Sequence, residues 1–346
     1  MDTNLFFGAC SDGAEEAVAY EMHAAQVVIV AGHKPSCALI IRFDKFPSAI
    51  GTLDVIFQLF EDPRTYRFQE EAFTFDTVAC GIKEIVHGES GQLRSKLLGC
   101  DSWRVSGIRK DFAGLRQNFR SKDLELLFTD AVRSAFGAAP GDTLLQHGLP
   151  PVDLLEFDLE FFVWVRGGAL AVGWLDKETS RIIQPPTRIL ISKGDTGFIL
   201  SKSADTTAFV MACIALKVYE AGGGCLQDKS DLICGDPMCG VGTCLFALQY
   251  FVSTHLQGVD ADFIGSDTSE PSIAQARANL ARLHLDGGSF TFAHCAAEDV
   301  GRAGAMPLNG VDLVLVDPPW GHRHGNFADI ARRTPAWARQ WVAILR

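Results

Sequence analysis

The stretch Asp231-Leu232-Ile233-Cys234-Gly235-Asp236-Pro237-Met238-Cys239-Gly240-Val241-Gly242-Thr243 decides the fold. Residues 231–235 read as a short strand, and residues 243–252 as the helix that follows. Between them, Gly240 and Gly242 let the backbone turn sharply and approach a ligand closely. A short Gly-x-Gly is a weak signal alone, because many tight turns contain one. At the C-terminal end of a strand it carries more weight, since open α/β sheets bind ligands there.

The reading extends in both directions from this loop. Upstream, residues 206–221 are expected to form a helix. Downstream follow a strand over 262–267, a helix over 271–283, a strand over 289–294 and an apolar strand over 311–316, the last of the kind buried on both faces of a parallel sheet. This alternation is the βαβ rhythm of a doubly wound fold. The second strand closes on Gly265-Ser266-Asp267, where an acid can accept hydrogen bonds from the ribose hydroxyls of an adenosine-containing cofactor. A plain helix cap is the other reading of Asp267.

The third signal is the sharpest: Asp317-Pro318-Pro319-Trp320-Gly321, directly after the last strand. An exocyclic base amine is a poor nucleophile, because its lone pair is delocalised into the ring. A carboxylate and a backbone carbonyl that accept both N–H hydrogens localise that lone pair. Consecutive prolines stiffen such a turn and leave its carbonyls without local amide competition. An aromatic ring beside them gives the base a face to stack on.

The first half, up to residues 190–200, reads as an α+β mixture. Strands are expected over 5–10, 27–30, 37–43 and 103–108, and a hairpin over 157–165 and 169–174. Helices are expected over 14–24, from Pro47 through Phe60, and over 121–136 with Ser121 as its N-cap. Pro185-Pro186 marks the linker. The expected domains are residues 1–185 and 200–346.

Composition narrows the function classes. The chain has 346 residues, a net charge of −11 and ten scattered cysteines. Thiols without a paired CxxC pattern point to a reducing compartment, so the expected location is cytoplasmic or nuclear. No run approaches the roughly 18 apolar residues of a membrane span. The acidic balance argues against a general nucleic-acid coat protein. A local basic group stands against it: Arg104, Arg109, Lys110, Arg116, Arg120 and Lys122, which read either as an RNA contact or as a solvated face. His322 and His324 lack an acid or cysteine to complete a metal site, and none is expected.

With these residues in view, the second half resembles class I S-adenosylmethionine-dependent methyltransferases. The whole chain is similar to the THUMP-domain RNA methyltransferases, which modify the N2 amine of guanosine, chiefly in tRNA. The resemblance rests on 236–243, on Leu5-Phe6-Phe7-Gly8-Ala9-Cys10 with Gly13-Ala14-Glu15-Glu16, on Trp103-Arg104-Val105, on Phe157-Asp158-Leu159-Glu160 and on Ala171-Val172-Gly173. It implies a ferredoxin-like plus THUMP RNA-binding region followed by a Rossmann-like methyltransferase sheet. It implies S-adenosyl-L-methionine as cofactor, held by Thr206, Asp236, Pro237, Cys239, Gly240, Gly242, Thr243, Asp267 and Glu298. Asp317, Pro318, Pro319 and Trp320 would be the catalytic residues, and a small zinc-binding activator subunit a possible partner.

Three departures stand out. Trp320 takes a place where this family more often has Phe or Tyr, and Asp-Pro-Pro-Trp is also similar to adenine-N6 methyltransferases. In His294-Cys295-Ala296-Ala297-Glu298-Asp299 the acid that would hold the adenine amine is displaced, with Glu298 as the substitute. Related enzymes also continue past Trp341-Val342-Ala343-Ile344-Leu345-Arg346 with further strands, so the sheet is expected to stop near its fourth strand with an open edge. Two alternatives therefore stay open, an adenine-N6 methyltransferase and a non-catalytic RNA-binding protein.

Overall fold

The computed structural model describes residues 5–43, 50–60, 65–110, 118–139, 142–183, 205–227, 229, 231–256, 258–283, 285, 288–319 and 326–346. The chain forms two compact units. The first comprises Met1–Asp12, Gln26–Ser48 and Leu53–Ile183, and the second Gly13–Ala25, Ala49–Thr52 and Gln184–Arg346. The expected linker at Pro185-Pro186 lies outside the described residues.

The first unit is a mixed sheet with helices against it. Its strands are β1 (Leu5–Ala9), β2 (Val27–His33), β3 (Ala38–Phe43), β4 (Val55–Leu59), β5 (Tyr66–Phe68), β6 (Trp103–Lys110), β7 (Leu159–Arg166) and β8 (Ala169–Asp176). The order is β2-β3-β1-β4-β8-β7-β6, with β5 also paired to β8. Only β6 and β7 run parallel among these pairs. The hairpin β7–β8 turns through Gly167 and Gly168, as its sequence indicates.

One expectation fails here. The helix read from Pro47 through Phe60 is instead strand β4 in its second part, while residues 44–49 lie outside the described residues. Val55-Ile56-Phe57-Gln58-Leu59 is β-branched and aromatic, and β1 and β8 pair with its two edges. A seat between two strands with buried Ile56, Phe57 and Leu59 outweighs the weak helical spacing. The helix α4 (Ser121–Ala135) forms as expected and buries Leu124, Phe128, Ala131 and Val132, but its N-cap is Arg120. The Ser121 hydroxyl instead accepts from the Arg109 amide at 3.3 Å. Helices α2 (Phe75–Gly88) and α3 (Ser90–Leu98) precede β6, and α5 (Lys177–Ile183) follows β8.

The second unit holds a parallel sheet in the order β11-β10-β9-β12. The strands are β9 (Leu232–Asp236), β10 (Ala261–Asp267), β11 (Ser289–His294) and β12 (Leu313–Val314). The last is shorter than its sequence suggests, yet Asp312 N and Leu315 N extend the ladder onto Ile233 O (2.8 Å) and Gly235 O (2.9 Å). Beyond it Leu345 bridges Val311 in parallel. The Arg346 guanidinium grips Asp312 through Nε at 2.6 Å, and Asp312 Oδ2 accepts from Ile233 N at 2.8 Å.

Five helices of this unit place the site. They are α1 (Glu15–Ala24), α6 (Asp205–Ala221), α7 (Thr243–His255), α8 (Glu270–Leu283) and α9 (Phe327–Ile344). Almost every residue of α7 is buried, from Thr243 to Val252. A helix apolar all round needs cover on every side. The sheet covers one side, through Leu232, Cys234 and Phe263, and α6 and α1 cover the others. Tyr20 of α1 stacks on Phe251 at 5.9 Å. Each buried Phe in this layer contributes about 2–3 kcal/mol. Among the described residues no helix is long and apolar enough to cross a membrane.

Candidate active site

Strand β9 delivers Asp236 to the C-terminal end of the sheet, where it pairs in register with Gly265 of β10. The chain then turns through Pro237-Met238-Cys239-Gly240-Val241-Gly242 into α7. Gly240 and Gly242 adopt φ of +53° and +93°, a region that L side chains rarely enter. A Cβ on Gly242 would also lie 2.6 Å from the Phe246 ring. Among the described residues, none beyond the chain neighbours of Gly240 brings a heavy atom within 4 Å of where a Cβ would stand. That side of the loop is an open cradle which any other side chain would fill.

The loop is tied to the neighbouring strand. Cys239 N donates to Ser266 O at 2.9 Å, and Gly240 N to Asp267 Oδ2 at 2.9 Å. The second Asp267 oxygen accepts from Ser269 N at 2.8 Å. Two backbone donors thus fix the plane of the Asp267 carboxylate, and each oxygen retains a lone pair. Ser266, fully buried, reaches Pro237 O at 3.4 Å. Thr243 opens α7 and is buried, and Thr206 is buried in the first turn of α6.

Asp236 is buried, and Met238 N donates to its Oδ1 at 3.0 Å. Burial drives its carboxyl up to about 8 against that hydrogen bond, and the negative charges of Asp267 and Asp317 add to the rise. The sequence assigned Asp236, Pro237, Cys239, Gly240, Gly242, Thr243 and Asp267 to one place, and the structure gathers them there. Burial also pushes the Cys239 and Cys244 thiols up, which keeps them protonated and unreactive.

Asp317, Pro318 and Pro319 follow β12 and are half-buried. Asp317 lies close enough to Asp236 and Cys244 for its charge to raise both. Trp320, with His322 and His324 after it, lies outside the described residues. Glu298 is placed differently from the loop residues. Arg333 of α9 donates to its Oε1 through Nε at 2.7 Å and also through Nη2. Burial acts to raise the Glu298 carboxyl, and hydrogen bonds from Arg333, its own backbone and Trp337, with the Arg333 charge, together leave it below its ordinary value.

The described basic residues of the first unit do not all share one face. Along β6 alternate side chains point to opposite faces, so Arg104 and Lys110 share one face and Arg109 takes the other. Each meets an acid or a polar neighbour. Arg104 Nη2 pairs with Glu160 at 2.7 Å and its guanidinium lies 3.8 Å from the Phe157 ring centre. Lys110 pairs with Asp54 at 3.2 Å. Arg120 pairs with Asp123 at 3.7 Å and Lys122 with Glu125 at 2.9 Å, near the start of α4. Arg116 lies outside the described residues.

One residue that holds the loop was not legible in advance. Asn279 of α8 is fully buried and donates through Nδ2 to Val241 O at 3.1 Å. A lone Asn in an amphipathic helix gives little signal, although a buried amide on the helix face turned to the sheet is unusual.

No protein-family model matches the chain, and no curated protein matches it significantly. Solved structures do match it along nearly all its length. TrmN from Thermus thermophilus is 18% identical over 99% of this chain and 86% of its own, with a TM-score of 0.57. SMU.472, a provisionally assigned methyltransferase complexed with SAH, is 12% identical over 99% and 88%, with a TM-score of 0.60. A provisionally assigned N6-adenine-specific DNA methylase from Listeria monocytogenes str. 4b F2365 is 14% identical over 99% and 86%, with a TM-score of 0.59. At these identities the likeness establishes the fold. The chain is a mixed α/β protein with the Rossmann-like architecture of these methyltransferases.

Proposed function

We propose that the chain is an S-adenosylmethionine-dependent methyltransferase acting on an exocyclic base amine, with the guanosine N2 amine of RNA, in particular tRNA, as the acceptor. The observation that carries this reading is the convergence of Asp236, Asp267 and Asp317 at the C-terminal ends of adjacent parallel strands, around a glycine loop with an open cradle. The likeness to SMU.472, which holds SAH, supports the cofactor.

The residues present fit that cofactor. The Asp267 carboxylate is oriented to accept from two ribose hydroxyls, and the Gly240–Gly242 backbone leaves room for a close approach. S-adenosylmethionine, when bound, supplies an electrophilic methyl group on a sulfonium. The task of Asp317 and the Pro318 carbonyl is then to accept the two N–H hydrogens of the target amine. Positioning and fixed acceptors carry the catalysis, on the order of several kcal/mol. The amine loses its proton during or after transfer, so no strong base is required beforehand. A base in folded RNA must be extruded to reach the pocket.

The first unit is assigned the RNA-holding role of a ferredoxin-like plus THUMP region, with Arg109, Arg120 and Lys122, which meet where β6 abuts the start of α4, as phosphate contacts. Exposed ion pairs such as Arg120–Asp123 and Lys122–Glu125 are worth little, so phosphates can displace their carboxylates. A small zinc-binding activator subunit is the partner that the family resemblance suggests. Adenine N6 is the second reading of the acceptor, favoured by the name of the Listeria protein and by the tryptophan after the two prolines.

Two expected outcomes test the cofactor site. Asp267→Ala removes the ribose acceptor and unties Gly240 N and Ser269 N, and should weaken cofactor binding by roughly 1–3 kcal/mol. Unchanged affinity in calorimetry removes Asp267 from the site. Asp236 gives the second. Its proton, retained up to about pH 8, should leave when a ligand of net positive charge binds nearby. Binding of S-adenosylmethionine at pH 7 should therefore release up to one proton and tighten as pH rises toward 8. Calorimetry in buffers of different ionisation enthalpy measures this, and a buffer-independent heat contradicts it. By the same sign, the unliganded fold is helped below the ordinary carboxylate range and loses that contribution as pH climbs through 8.

A further inference from the structure

Val241 stands between the two left-handed glycines, Gly240 and Gly242. Cys239 and Gly240 are tied to β10, and Gly242 N donates back to Cys239 O at 2.8 Å. The Val241 carbonyl is held from another direction, by Asn279 Nδ2 at 3.1 Å. Gln275, one turn earlier on α8, donates through Nε2 to Asn279 Oδ1 at 2.8 Å. That second bond turns the amide nitrogen of Asn279 toward the loop.

Asn279 is a costly choice at its position. It lies mid-helix among buried Ile273, Ala276 and Leu283, where alanine would favour the helix and need no hydrogen bond. The Val241 carbonyl is one of the partners that match its full burial. With glycine on both sides, the peptides around Val241 meet little steric resistance to rotation. A rotated Val241 peptide would lose the Asn279 hydrogen bond and change the loop surface that a ligand would meet. The apparent affinity then falls with the fraction of molecules in the competent arrangement.

We propose that Asn279 is a positioning residue of the cofactor site, holding the Val241 carbonyl so that the glycine loop keeps the shape against which the ligand would lie. The proposal rests on the methyltransferase reading above. It assigns to α8 a role in ligand binding that no motif in the loop itself reveals.

The test is calorimetric titration of S-adenosylhomocysteine into the full chain, wild type first. Asn279→Ala should weaken binding about tenfold, the effect of one hydrogen bond. It should raise the KM for S-adenosylmethionine by a similar factor while leaving kcat at saturation within about twofold. A purely structural role would instead lower the unfolding temperature and leave affinity and KM unchanged, and that result overturns the proposal. If Asn279→Ala does not fold, Gln275→Ala decides, because it keeps the buried Asn279 but releases its orientation. Binding weakened about threefold with an unchanged unfolding temperature supports the proposal, and unchanged binding overturns it. A wild-type chain that binds no S-adenosylhomocysteine removes the cofactor reading itself, a failure visible before any variant is made.

Discussion

Asp317→Ala should reduce methyl transfer about a hundredfold or more while leaving cofactor affinity within a few fold. The division of labour predicts this split. Asp267 and the Gly240–Gly242 backbone are assigned to the cofactor, whereas Asp317 stands at the end of the next strand and is assigned to the target amine. A preorganised acceptor lost from a transition state costs rate rather than ground-state binding. One secondary effect has a definite sign. Removing the Asp317 charge takes away one of the influences that raise Asp236, so the Asp236 proton should leave at a lower pH in the variant. Single-turnover rates with calorimetry on the same preparation measure both halves. Full turnover in the variant would remove the Asp-Pro-Pro motif from the chemistry.

The second large effect lies away from the site. Glu21→Ala should destabilise the second unit by about 3–5 kcal/mol, the result of leaving several buried donors without their acceptor. Glu21 is fully buried in α1 and accepts from Gly51 N and Thr52 N, both at 2.8 Å, and from the Thr52 hydroxyl at 2.5 Å. His255, the last residue of α7, places Nε2 3.4 Å from the same carboxylate. Alanine leaves buried donors on residues 51 and 52 without their acceptor. For a unit of this size the loss corresponds to a fall of roughly 10 °C in the unfolding midpoint. Glu21→Gln keeps one acceptor oxygen and should cost about half as much. Thermal unfolding followed by circular dichroism measures the difference, and a shift below about 2 °C in Glu21→Ala contradicts it.

That network shows where the sequence stops being informative. The loop from Asp236 to Thr243 and the Asp317-Pro318-Pro319 turn were legible because their chemistry is local. Left-handed backbone selects glycine, and consecutive prolines select a stiff turn, whatever packs around them. The amphipathic helix over 121–136 was legible for the same reason. By contrast, α1 joins the compact unit that contains residues 184–346, although a strand of the other unit stands on each side of it in the sequence. Its Glu21 reads as a solvated helix residue, and only long-range packing buries it. The basic residues from Arg104 to Lys122 look like one cluster in a list of letters. Strand alternation sends Arg104 and Arg109 to opposite faces. The segment Val55–Leu59 was misread because a short apolar run fits helix and strand alike until its neighbours are known. Glu298 could be named as a candidate acid, but its engagement by Arg333 depends on α9, far along the chain.

The most direct measurement of methyl transfer to a base amine is mass spectrometry of nucleosides after incubating the chain with isotopically labelled S-adenosylmethionine and total small RNA, with and without a candidate activator subunit. The expected product is labelled N2-methylguanosine that disappears with Asp317→Ala. Label in N6-methyladenosine would move the acceptor and keep the site. A folded wild-type chain that binds the cofactor yet labels no base, in RNA or in added DNA, would contradict the account.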